Sequence, residues 1–128
     1  MGRRAPERSI SNLLLSFWLP AVLYAALVLF IGSRPNLRPP VSFLGADKVA
    51  HLGMYLVLGL LLTRAARATW KSPLPAALVA LCLGLTVGTG DELNQAHVPG
   101  RSADAFDLMA DTVGLVLAPL VVRAFTRD

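Results

Sequence analysis

ADAFDLMADTVGLVLAPLVVRAF, residues 103–125, is the stretch on which the reading of the whole chain turns. It is long enough and apolar enough to cross a bilayer, since about 20 residues of helix are needed for that. Yet it opens with Asp104, Asp107 and Asp111, which are three and four residues apart and therefore share one helix face. The same face continues into Gly114 and Ala118. It is thus acidic at one end and small below, and both properties turn it away from lipid: small residues let helices approach closely, and carboxylates avoid hydrocarbon.

Three further stretches have the length and character of spans: residues 13–31, 47–66 and 75–95. Pro35, Pro39 and Pro40 punctuate the first connection, Pro73 and Pro75 the second, and Pro99-Gly100 the third. The expected fold is therefore all-α: an antiparallel four-helix membrane bundle forming a single domain over residues 1–128, with residues 1–11 as a basic cytoplasmic N-terminus. Pro20 and Pro119 fall inside spans and predict local irregularities, which membrane helices tolerate. The first apolar run is span-length and no small-x-small cleavage site follows it, so it is expected to stay as a span rather than be removed as a signal peptide.

Composition agrees: mean hydropathy is +0.59 and 55% of the 128 residues are hydrophobic, outside the range of ordinary soluble domains. The single cysteine, Cys82, lies in an apolar run, so neither a disulfide framework nor a paired thiolate site is expected. The basic pI reflects short inter-span segments rather than one soluble face, and nucleic acid is not an expected partner. Arg3, Arg4, Arg8, Arg64, Arg67, Lys71, Arg123 and Arg127 fall on one side of the bundle, against Arg34, Arg38, Lys48 and Arg101 on the other. The positive-inside rule then places both termini in the cytoplasm, and Trp18 and Trp70 fall at that inner boundary.

Of the eight acidic residues, Asp47, Asp91, Glu92, Asp104, Asp107 and Asp111 all map to the outer half. Asp47, His51 and Tyr55 make one helical line; Gly84, Gly88, Asp91, Glu92 and Gln95 make a second. Asp111 sits too deep to be a solvated surface acid, because an ionised aspartate near mid-membrane costs about 2.5–3.5 kcal/mol. Lys48, His51 and Arg101 are its candidate partners. Carboxylates outnumber permanent cations here, so a proton, a metal ion or a cationic ligand group is expected to balance them. Plainer roles exist for each residue alone: Asp47 and Asp104 as helix N-caps, His51 as an interhelical hydrogen-bonding group, Tyr55 as packing, Arg101 as a lipid-phosphate contact.

Three blocks, Asp47-Lys48-x-x-His51 with Tyr55, then Asp91-Glu92-x-x-Gln95, then Pro99-Gly100-Arg101 with Asp104, Asp107, Asp111 and Gly114, resemble the VanZ-like family of bacterial membrane proteins. That family is named for an accessory glycopeptide-resistance protein associated with teicoplanin. The resemblance covers about residues 47–117, and Asp111 departs from a pattern that carries asparagine there. It implies the bacterial cytoplasmic membrane and an envelope-related role, without a settled reaction.

The leading expectation is a non-catalytic protein that binds an amphiphilic or lipid-linked ligand, glycopeptides included, through Asp47, Lys48, His51, Tyr55, Asp91, Glu92, Gln95, Arg101, Asp104, Asp107 and Asp111, with membrane lipids as partners. An alternative is a membrane enzyme acting on lipid phosphate, with a divalent cation such as magnesium among Asp91, Glu92, Asp107, Asp111 and His51. No catalytic residue is assigned, because neither a serine elbow nor an H-E-x-x-H motif occurs. A proton-coupled carrier is a third reading, for which a homo-oligomer would enlarge a small pathway. A purely structural protein is the fourth.

Overall fold

The computed structural model describes residues 9–126. Arg3, Arg4, Arg8 and Arg127, counted above in the topology, lie outside the described residues. Four helices long and apolar enough to cross a membrane make up the fold: α1 (Ile10–Gly32), α2 (Ala46–Thr69), α3 (Pro73–Gln95) and α4 (Ala105–Phe125). Among the described residues there is no strand.

Each boundary has a local cause. Pro20 has no N–H to offer the Ser16 carbonyl, and the expected irregularity takes the form of a wide π-type turn over Leu14–Trp18 just before it. Arg64 Nη1 reaches the Ser16 carbonyl oxygen at 3.4 Å. α2 starts after Gly45, whose φ of 84° stops the chain from extending the helix backwards, and its cap makes no side-chain hydrogen bond. Asp47 is therefore not the N-cap; it sits in the first turn, where a carboxylate also favours the positive end of the helix dipole. α3 begins at Pro73, a residue suited to a first turn in which the N–H is unused. α4 is capped by Asp104, whose side chain accepts the Phe106 N–H at 2.8 Å, and the helix continues through Pro119 to Phe125.

α2 is the most buried of the four helices and α1 the least. The core runs along α2 through Tyr55, Leu58, Leu62 and Ala66, and meets Ala76 and Ala80 of α3, Leu115 of α4, and Ala21 and Val28 of α1. Val22, Leu23 and Phe30 of α1, Leu78 and Leu83 of α3, and Val113, Val116 and Leu120 of α4 point outward and are exposed. A soluble protein would bury such surface; a bilayer accepts it. Trp18 and Trp70 meet edge to face with centroids 6.2 Å apart, and Trp18 Nε1 donates to Thr69 Oγ1 at 2.9 Å. Near them Arg67 Nη1 donates to Thr126 Oγ1 at 3.1 Å, so the end of α4 lies at this level. The acidic residues gather at the opposite end.

Candidate functional site

The acidic end is built in two layers. In the upper one Lys48 Nζ lies 2.8 Å from Asp47 Oδ2, from Asp104 Oδ2 and from Asp107 Oδ1. One ammonium thus joins the start of α2 to the start of α4, using all three of its donors. Together with the Phe106 N–H, it holds the Asp104 carboxyl below the usual carboxylate range. Sequence reasoning offered Lys48, His51 and Arg101 to Asp111; the structure keeps His51 and corrects the other two. Lys48, at the lip of α2, meets the acids at its own level, Arg101 makes no ion pair with Asp111, and Asp111 is paired with His51.

The lower layer is buried. His51 lies one turn into α2 from Asp47, and its Nδ1 is 2.9 Å from Asp111 Oδ1 and 3.9 Å from Glu92 Oε1. Its Nε2 is 3.7 Å from Asp107 Oδ2. Tyr55, a turn deeper, holds its ring parallel to the imidazole and donates its hydroxyl to Asp91 Oδ2 at 3.5 Å. Glu92 is anchored through Oε2, which accepts the Asp104 backbone N–H at 2.9 Å. Asp91 packs against Gly32, where a Cβ would run into its carboxylate; only glycine at the end of α1 lets that helix close on the site. Asp91 Oδ1, Glu92 Oε1, Gln95 Nε2 and Asp111 Oδ2 are buried with no hydrogen-bond partner among the described residues. In a low-dielectric interior each such atom is expensive unless water, a proton or a ligand reaches it.

Replacing Tyr55 by phenylalanine is expected to leave neither oxygen of Asp91 with a partner. The long contact it removes is weak, but the stranded carboxylate should cost about 1–2 kcal/mol. Thermal unfolding of the purified protein in detergent measures this, and an unchanged midpoint would mean that the contact is not a bond.

Above both layers opens a cleft of about 460 Å³. Asp47, His51 and Asp107 line it, as do Arg38 and Arg101, and Ile31, Leu37 and Met54 add apolar groups to the lining. None of the ion pairs among the described residues involves Arg101 or Arg38. The structure therefore brings Asp47, Lys48, His51, Tyr55, Asp91, Glu92, Gln95, Asp104, Asp107 and Asp111 together, and Arg101 lines the cleft with Asp47, His51, Gln95 and Asp107. Sequence reasoning missed Arg38 and Gly32. Arg38 reads as one more loop cation, and Gly32 as a helix stop; the proline-flanked run Arg34-Pro35-Asn36-Leu37-Arg38-Pro39-Pro40 was the available sign of a shaped loop.

Comparison with known families gives one finding of substance. The family described as VanZ/LLP1 matches residues 4–126, which takes in α1 as well as the three motif-bearing helices. No curated protein and no solved structure matches.

Proposed function

Because the chain belongs to the VanZ/LLP1 family, we propose that it is a bacterial envelope membrane protein whose acidic end faces outward and binds an amphiphilic, lipid-linked ligand. The observation that carries this reading is the mixed lining of the cleft, which combines Arg38 and Arg101 with Asp47, His51 and Asp107 and with the apolar Ile31, Leu37 and Met54. A headgroup with both anionic and cationic groups fits such a lining, and its apolar residues suit an acyl or prenyl chain. The uneven distribution of lysine and arginine supports the orientation. Glycopeptide tails and cell-wall lipid intermediates share this chemistry, and a contribution to glycopeptide tolerance is one consequence of binding either.

The arginines give the cleanest test because they hold no ion pair with the acidic cluster. A charge-assisted hydrogen bond contributes about 1.5–3 kcal/mol, so the double variant Arg38→Ala/Arg101→Ala should weaken retention of a headgroup-bearing lipid by roughly tenfold or more. Lipids that copurify with wild type and variant are extracted and compared by mass spectrometry. Identical lipid profiles from two equally well-folded proteins would refute the proposal.

A further inference from the structure

We infer that the buried layer is a divalent-metal site, in which His51, Glu92 and Asp107 are the ligands and Asp111 orients the imidazole. One ligand atom from each of His51, Glu92 and Asp107 lies within 4.8 Å of the others. Around an ion with bonds of about 2.0–2.2 Å, ligand atoms stand roughly 3–4.4 Å apart, so small side-chain rotations close the site without moving a helix.

Proximity of acids alone would not make this a site; the unused atoms do. Glu92 is only 7% exposed, its Oε2 is committed to the Asp104 N–H, and its Oε1 lies 3.9 Å from the imidazole edge at His51 Nδ1 without a hydrogen-bond partner among the described residues. The imidazole is set from behind. An ionised Asp111 can only accept, so the 2.9 Å contact places the ring proton on Nδ1 and leaves the Nε2 lone pair on the side of Asp107. A carboxylate bound to the far nitrogen is the usual backing of a metal-ligating histidine.

Charge points the same way. Lys48 is shared by Asp47, Asp104 and Oδ1 of Asp107, and within 4 Å of Glu92 and Asp111 there is no permanent cation among the described residues. An imidazole nitrogen with carboxylate oxygens and no thiolate suits a first-row ion such as Mn²⁺ or Zn²⁺ better than magnesium or calcium. His51 and Asp107 also line the cleft, so an open coordination position would face whatever the cleft holds. The inference stands apart from the lipid reading, since it needs only the buried residues.

The full chain in detergent micelles, stripped with chelator, is titrated with Mn²⁺ and followed by electron paramagnetic resonance, with Zn²⁺ as competitor. The expected result is a single class of Mn²⁺ site showing ¹⁴N coupling and displaced by Zn²⁺. His51→Gln should abolish the nitrogen coupling, Glu92→Gln should weaken Mn²⁺ binding by at least about tenfold, and Asp111→Ala should weaken it by about 10–100-fold. Absence of saturable binding, absence of nitrogen coupling in the wild type, or unchanged affinity in His51→Gln and Glu92→Gln would each overturn the assignment. The wild-type coupling decides the matter even where a variant does not fold.

Discussion

Gly114→Ala is expected to destabilise the protein by about 2–3 kcal/mol, near the upper end of what overpacking usually costs, and to disturb the acidic end at the same time. A Cβ at Gly114 would lie 2.5 Å from the Leu52 carbonyl oxygen, 2.7 Å from the Leu56 nitrogen and 3.1 Å from the Tyr55 carbonyl carbon. All three are backbone atoms of α2 inside a hydrogen-bonded helix, so no rotamer relieves the overlap and the helices must separate. The same seam is tight lower down, where a Cβ on Gly59 would stand 2.7 Å from the Ala118 Cβ. Gly114 is one turn from Asp111, and Leu52 adjoins His51; moving the seam apart therefore stretches the 2.9 Å contact on which the buried layer depends. Gly90→Ala is the control, because nothing lies within 4 Å of its Cβ position, and helix propensity makes it neutral or stabilising by up to about 1 kcal/mol. Unfolding midpoints in detergent compare the two. Equal midpoints for Gly114→Ala and wild type would show that the helices are not in backbone contact here.

This seam also shows how far the sequence could be read. Gly114 and Ala118 on the face of Asp104, Asp107 and Asp111 were legible because spacings of three and four define a helix face whatever surrounds it. The same logic reached Asp47, His51 and Tyr55 on α2, and Asp91, Glu92 and Gln95 on α3. Periodicity fixes a face, however, and leaves open the height of one helix against another. That is why Lys48 was offered to Asp111 when it meets Asp47, Asp104 and Asp107, and why Asp47 read as a cap when Gly45 fills that position. Arg38 lay beyond reach for a different reason. Its place in the cleft depends on the path of the irregular connection between α1 and α2, where no repeat constrains the chain.

Lys48→Met should be the most damaging single change in the upper layer, because it keeps the stem of the side chain and removes the one charge that three carboxylates share. Breaking a fully buried pair costs about 3–5 kcal/mol; the Lys48 side chain is 34% exposed while that of Asp107 is 9%, so screening brings the expected loss to about 2 kcal/mol. The loss should depend on pH in a definite direction. Lys48 keeps the Asp104 carboxyl below its ordinary value, and a carboxylate depressed in the folded state adds stability at pH above its unfolded value of about 3.9. That contribution fades as pH falls through the lower folded value. The gap between wild type and Lys48→Met should therefore be full near neutrality and narrow as the medium is acidified below about pH 4. Adding Asp107→Asn to Lys48→Met removes the buried charge left without its partner, and the double variant should recover most of the lost stability if the ion pair, rather than the lysine stem, is what matters. Denaturant unfolding at several pH values, carried through the full double-mutant cycle, measures both effects. A gap that stays constant with pH, together with no recovery in the double variant, would mean that Lys48 acts by packing and that the three carboxylates are balanced by something else.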